Sequence, residues 1–148
     1  MRNLLFVFLL VIITGCKTQN KYSDFDYSYS RSGGFAPIYE NLLIKGNTAH
    51  YSFEGQGKNI KKDFKLSNDE VQNLETVIAQ NNFRTIQEDY KKVYDNVATS
   101  INVKTGENSG SKSDASFIME KDKPRWEAVV ASFRQIINAK VKTETTKK

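Results

Sequence analysis

Three strand-like runs, separated by short turns, constrain the fold more than any other feature of this chain. They cover residues 25–31, 37–45 and 48–54, and the first and third alternate apolar with polar side chains. Period-two alternation is typical of a strand with one buried face. Gly46-Asn47 separates the second and third runs and predicts a tight hairpin. The folded part of the chain should therefore begin with antiparallel strands.

Two helices are predicted from apolar residues at helical spacing. Residues 67–70 form a capping box, in which the side chains of Ser67 and Glu70 each accept a backbone amide that the helix start leaves unsatisfied. This first helix should end at residues 81–82. The second should begin at residues 122–124, where a proline suits the first turn. Its apolar stripe consists of Trp126, Val129, Val130, Phe133, Ile136 and Ile137.

The remaining segments complete an α+β pattern. Residues 60–66 read as an edge strand carrying lysines, and residues 97–104 alternate as a strand. Residues 113–120 should be its hairpin partner, and residues 83–94 show no clear period. In the hairpin partner, Ala115, Phe117 and Met119 should share one face of the strand. In residues 83–94, the expected core anchors are Phe83, Ile86, Tyr90 and Tyr94.

The order of elements is strands, helix, strands, helix. We therefore predict an antiparallel, twisted sheet with both helices packed on one face, an α+β fold. Whether the chain consists of two hairpin–helix halves related by duplication is left open. The predicted single domain covers residues 25–139, between a polar tether at 16–24 and a disordered basic tail at 140–148.

The N-terminal residues have the pattern of an export signal. A basic start is followed by an unbroken apolar run over residues 4–13, which is shorter than the roughly 20 residues needed to span a bilayer. The run ends in Ile13-Thr14-Gly15-Cys16, which resembles the lipobox of bacterial lipoproteins. That resemblance implies cleavage after residue 15 and a diacylglycerol on the Cys16 sulfur, usually with a third chain such as palmitate on its amine. An ordinary secretory signal or a signal anchor is the alternative.

Composition narrows the class of protein further. Cys16 is the only cysteine, so the domain has no disulfide and no thiolate metal site. The net charge of +5 is modest and lies partly in the tail, so we read the lysines as solvated surface and expect no nucleic-acid partner. Lys17 offers no aspartate-type retention signal. By analogy with enteric bacteria, the outer membrane is favoured as the location within the cell envelope.

No residue pattern predicts a catalytic site, a metal site or a cofactor. His50 is the only histidine and lies on the polar face of its strand, without ligands at metal-binding spacing. The segment Gly55-Gln56-Gly57-Lys58 lacks the full phosphate-loop pattern. A hydrolase would require a pocket in which His50 meets a serine or a carboxylate.

Tyrosines crowd the first third of the chain and have two interpretations. They are either large core residues with polar tips or an exposed aromatic face beside Gly33-Gly34 that suits a protein or glycan partner. Two adjacent glycines also indicate a turn or bulge with positive φ. The candidate binding residues on the second interpretation are Tyr27, Tyr29, Gly33, Gly34 and Tyr39.

The segment Gly33-Gly34-Phe35-Ala36-Pro37-Ile38-Tyr39, with the hairpin over residues 43–55, resembles a family of small secreted bacterial domains of unknown function. The resemblance covers roughly residues 25–139. The order of elements is also similar to that of secreted β-lactamase inhibitors. We expect a monomeric, non-enzymatic binding module with an envelope protein as partner. The alternatives are an inhibitor that inserts residues 30–37 into a hydrolase, and a hydrolase itself.

Overall fold

The computed structural model describes residues 23–91 and 96–142, with the side chain of Lys142 left out. The predicted leader, Cys16 and most of the tether lie outside these residues, as do Tyr22 and Tyr94. The strands are β1 Tyr27–Gly33, β2 Ile38–Lys45, β3 Thr48–Gly55, β4 Lys58–Lys65, β5 Val97–Val103 and β6 Gly110–Ser113. The helices are α1 Asn68–Gln80 and α2 Lys123–Ile137, with short 3-10 helices at Phe83–Thr85 and Glu120–Asp122 and a π-helical turn at Asn138–Lys142.

The strands form an antiparallel sheet in the order β4-β3-β2-β1-β5-β6. β1 therefore lies inside the sheet and pairs with both β2 and β5. β4 lies at an edge, as its lysines predict. Four strands precede α1 and two precede α2, so a hairpin followed by a helix occurs as β3-β4-α1 and again as β5-β6-α2.

One face of the sheet, the inner face, packs against both helices and forms the core. The α+β prediction with both helices on one face is confirmed. The ring of Tyr29 on β1 stacks on Phe133 of α2, with centroids 5.6 Å apart. The inner face contributes Tyr29, Leu42, Ile44, Ala49, Tyr51, Ile101 and Val103, and the helices contribute Leu74, Ile78, Trp126, Val129, Phe133, Ile136 and Ile137. The outer face carries mainly small polar side chains, including Ser28, Ser30, Asn41, Ser52, Ser100 and Asn102.

The predicted capping box forms at the start of α1. The Glu70 amide donates to the Ser67 hydroxyl at 3.1 Å, and the Ser67 amide donates to the Glu70 carboxylate at 2.7 Å. The helix ends at Gln80, and Asn82 adopts the left-handed conformation beyond it. Phe83 and Ile86 are fully buried, as expected. Tyr90, however, has φ +54 and is 82% exposed, so its predicted place in the core is wrong.

The second strand of the last hairpin is shorter than predicted. β6 ends at Ser113 because the Asp114 carboxylate accepts the Thr99 amide at 2.6 Å, in place of a backbone carbonyl. Phe117 then adopts φ +62 and is 46% exposed, while its neighbour Ile118 is buried. The expectation that Ala115, Phe117 and Met119 share one face of a strand is therefore wrong, because β6 ends before them.

The C-terminal helix continues further than predicted. The π-helical turn carries the chain to Lys142, three residues past the predicted domain boundary at 139. Lys140 forms an ion pair with Glu70 at 2.9 Å, and its carbonyl accepts a hydrogen bond from Lys62 at 2.6 Å. Val141 packs against the core cluster. Among the described residues, no helix has the length and apolar character needed to cross a membrane.

Candidate interaction surface

The chain enters the sheet at one end, which we call the proximal end. The Asp26 amide donates to the Ile44 carbonyl at 2.8 Å, and the Asp26 carbonyl accepts from the Lys104 amide at 2.9 Å. The Asp26 carboxylate accepts from Lys45 at 2.9 Å and from the Gly46 amide at 2.8 Å. Burial alone would raise the pKa of Asp26, but these two donors outweigh it and hold the pKa below its usual value. The proximal end is therefore polar, charged and closed by hydrogen bonds.

The opposite end of the sheet, the distal end, carries the turn at residues 34–37 and the turn at residues 56–57. Five large hydrophobic side chains are exposed in the described part of the chain, and all lie in the distal half of the fold. Two belong to the β1–β2 hairpin, one to the edge strand β4, and two to the segments that follow the 3-10 helix and β6. They are Phe35 (91% exposed), Tyr39 (55%), Ile60, Tyr90 and Phe117.

Backbone pairing places the last two of these residues at the distal end. The Asp114 amide donates to the Thr99 carbonyl, close to where β5 begins. The chain then turns, because the Phe117 amide donates to the Asp114 carbonyl at 3.0 Å, and the Phe117 carbonyl accepts the Asp89 amide at 3.0 Å. Tyr90 is the next residue after Asp89. The same end of the fold therefore presents exposed aromatic rings from two separate parts of the sequence.

Gly33 and Gly34 shape the distal turn and expose Phe35. Their φ angles are +111° and +88°, as the paired glycines predicted. A Cβ atom on Gly33 would lie 2.4 Å from the Asn96 carbonyl oxygen, and one on Gly34 would lie 3.0 Å from Val97. Because both residues lack a Cβ atom, the turn of the β1–β2 hairpin packs directly against the start of β5.

The candidate tyrosines divide between core and surface. Tyr29 is fully buried, and its hydroxyl lies 3.4 Å from Arg134. Tyr27 is half-buried and donates to Glu75 at 3.0 Å, and burial followed by this acceptor raises its pKa to about 12. The interpretation of both as an exposed aromatic face is corrected, because the pleat of β1 turns them towards the helices. Tyr39 is exposed because the next residue along β2 faces inward.

That inward residue is Glu40, a buried carboxylate that sequence reasoning missed. It is 8% exposed and accepts from the Tyr51 hydroxyl at 2.9 Å and from Arg31 at 3.2 Å. Burial, and then the Glu40 acceptor, raise the pKa of the Tyr51 hydroxyl well above its usual value. The register of β1, β2 and β3 brings the three side chains together on the inner face. The alternation of β2 could have revealed this site, because it places the charged Glu40 on the same face as Leu42, where a carboxylate requires a hydrogen-bonding partner.

His50 lies on the outer face and contacts a carboxylate. Its Nδ1 atom is 2.6 Å from the Asp63 carboxylate, across the β3–β4 pair. Asn41, Ser52 and Lys61 also line the small outer-face cavity of about 210 Å³ at this pair. Within the described residues, His50 makes no hydrogen bond to a serine hydroxyl, and no group of three His, Cys, Asp or Glu side chains could hold a metal ion. The His50–Asp63 contact is one that the hydrolase alternative requires. Within the described residues, however, no serine nucleophile is hydrogen-bonded to His50.

Comparison with known proteins adds no relative to this picture. No protein-family model matches the sequence, and no curated protein is significantly similar to it. The two resemblances noted in the sequence therefore remain predictions.

Proposed function

We propose that this protein is a lipid-anchored protein of the bacterial cell envelope whose domain is a non-enzymatic binding module for an envelope protein. The observation that carries the proposal is the exposure of Phe35 (91%) and Tyr39 (55%) on one hairpin at the distal end of the sheet. Clustered exposed apolar surface is typical of an interaction site. Aromatic residues such as these are enriched at protein interfaces.

The direction of the chain supports the same proposal. The described chain enters at Ser23, at the proximal end, and the predicted acylation site Cys16 lies a few residues earlier. Two acyl chains suffice for stable anchoring, since each buried methylene contributes about 0.8 kcal/mol. A tether at the proximal end would hold that end near the lipid and direct Phe35 and Tyr39 away from it. We expect a monomer that does not bind nucleic acid and resides at the outer membrane.

The anchor is tested by replacing Cys16 with serine in the full chain. The variant should lose metabolic labelling by palmitate, keep its uncleaved signal and leave the membrane fraction on alkaline washing. Thr18→Ser, a matched change two residues away, should behave as the wild type. A Cys16→Ser protein that is still processed and acylated would contradict the lipoprotein assignment.

The distal surface is tested by site-specific photo-crosslinking in cells. A benzophenone amino acid at position 35 or 39 should capture one and the same protein, whereas the probe at position 105, an exposed residue of the proximal turn, should not. The purified partner should then bind the anchored protein directly, with Phe35→Ala weakening binding by roughly tenfold, the loss expected for one aromatic side chain at an interface. Equal capture from position 105, or unchanged affinity of Phe35→Ala, would contradict the proposal.

Inhibition of an envelope hydrolase is a second candidate function, favoured by one observation. Phe35 is 91% exposed at the tip of the predicted inhibitory segment, residues 30–37, and the positive-φ glycines before it fix the turn against β5. A preformed loop binds with less loss of conformational entropy than a flexible one. The purified protein should inhibit a hydrolase in a defined assay, and Phe35→Ala should raise the inhibition constant. If the protein does not change the activity of its crosslinked partner, the inhibitor function is excluded and the binding-module proposal stands alone.

A further inference from the structure

A groove of about 730 Å³ opens on the inner face of the sheet, beside the edge strand β4 and the π-helical turn. Its size falls in the range of pockets that hold small molecules, about 300–1,000 Å³. Phe53, Ile60 and Val141 supply its apolar wall. Ile60 remains 37% exposed, so the helices leave this part of the inner face open.

The polar lining of the groove has an excess of positive charge. Three cationic side chains of the lining, Arg31, Lys58 and Lys62, share the inner-face register, against one carboxylate, Glu40. That carboxylate already accepts hydrogen bonds from Tyr51 and Arg31. A ligand that fits the groove should therefore be an anion, because attraction to the cations is stronger where the walls exclude water.

Arg31 is the side chain best placed to hold the charged group. Its guanidinium has five N–H donors, and it makes one hydrogen bond within the described structure, from Nη1 to Glu40. The side chain is 27% exposed and lines the groove. Glu40 fixes the guanidinium on one side, so the remaining donors can engage a carboxylate or phosphate in the paired geometry that arginine favours.

We infer that this groove binds a single-chain amphipathic anion, with an acyl chain along Phe53, Ile60 and Val141 and a carboxylate or phosphate head at Arg31. The groove includes Ile60 but neither Phe35 nor Tyr39, the two residues probed for the protein partner. A peptide partner is the less favoured occupant. The groove has the volume of a small-molecule pocket, and its aromatic lining is limited to Tyr51 and Phe53.

The experiment uses the full chain in nanodiscs of zwitterionic lipid and photo-labels it with a diazirine derivative of hexadecanoate. Label should concentrate on peptides that contain Phe53, Ile60 or Val141, and excess unlabelled hexadecanoate should remove it. The diazirine derivative of hexadecanol, which has no charge, should label these peptides about tenfold less, the loss expected for one charge-assisted hydrogen bond. Competition by a lysophosphatidate with the same chain distinguishes a phosphate head from a carboxylate head.

Variants connect the labelling to the proposed contacts. Arg31→Met should reduce groove labelling about tenfold, whereas Arg84→Met, at an exposed arginine outside the groove, should not. Because Arg31→Met leaves Glu40 without its cation and could impair folding, Ile60→Glu provides a second test. It places a negative charge at an exposed position of the groove wall and should likewise reduce labelling, while the far-UV circular dichroism spectrum stays unchanged. Label spread evenly over the protein, equal labelling by the alcohol, or groove labelling unaffected by both variants would overturn the inference.

Discussion

Asp122, at the start of α2, is the carboxylate whose removal should affect stability most clearly. The residue is 3% exposed, and its side chain accepts from the Gln87 amide at 2.9 Å and from Arg125. Arg125 in turn donates to the Asn81 carbonyl at 3.0 Å and to the Thr85 hydroxyl at 2.9 Å. One carboxylate and one guanidinium thus fasten the beginning of α2 to the segment that follows α1.

Asp122→Asn keeps the volume of the side chain and removes its charge. Hydrogen bonds to a charged group contribute about 1.5–3 kcal/mol each. The asparagine oxygen can still accept one of the two donors, and Arg125, about a third exposed, regains some hydration. The free energy of unfolding should therefore fall by about 2–3 kcal/mol at neutral pH. Urea denaturation followed by circular dichroism measures this change.

The destabilisation caused by Asp122→Asn should become smaller as the pH falls. The Arg125 hydrogen bond first, and then the Gln87 amide, hold the pKa of Asp122 below the usual value of 3.8. The carboxylate thus binds its proton less tightly in the folded than in the unfolded state. Its contribution is complete above the unfolded pKa and is lost as pH falls through the folded pKa. The difference between wild type and Asp122→Asn should therefore shrink below about pH 4.

Asp69→Asn is the matched control, because Asp69 is exposed in the first turn of α1. Its loss affects only the interaction with the helix dipole, worth about 0.3–1 kcal/mol. A destabilisation by Asp122→Asn no larger than that of Asp69→Asn would refute the reasoning. So would a large difference that stays constant from neutral to acidic pH.

Three further changes test other parts of the fold by urea denaturation. Phe133→Ala removes the ring that stacks on Tyr29 and should cost about 3–5 kcal/mol; a loss below 1 kcal/mol would contradict its place in the core. Gly33→Ala should destabilise by more than 1 kcal/mol, because its Cβ would meet the Asn96 carbonyl at 2.4 Å with φ at +111°; a neutral effect would exclude the described turn. Ser67→Ala removes a helix cap and should cost about 1 kcal/mol, whereas an unchanged midpoint would show that the cap contributes nothing.

Local patterns in the sequence predicted most of the fold. The hairpin at Gly46-Asn47, the capping box at Ser67 and the stripe of α2 each depend on residues close together in the chain. Their geometry follows from turn, cap and periodicity rules alone. The edge position of β4 also followed from its own lysines.

The errors occurred where contacts distant in sequence decided the conformation. Nothing near Asp114 indicates that its carboxylate bonds the Thr99 amide and ends β6, which turns Phe117 outward. Tyr90 is a large aromatic residue of the kind often found in a core. Its outward conformation, however, is fixed by backbone pairing of residues 87–89 with residues 117–119. Such pairings are absent from any local window of sequence.

The candidate sites show the same division. The antiparallel strands, the positive-φ glycines at 33–34 and the two helix faces followed from local sequence patterns. The export pattern that ends at Cys16 is a prediction from the sequence. Three features depend on how distant segments of the chain pack: the burial of Tyr29, the exposure of Phe35 and Tyr39 at the end opposite the chain entry, and the contact of Arg31 with Glu40 beside an open groove. Strand register and helix coverage set which face each side chain occupies, and both depend on how distant segments pack together.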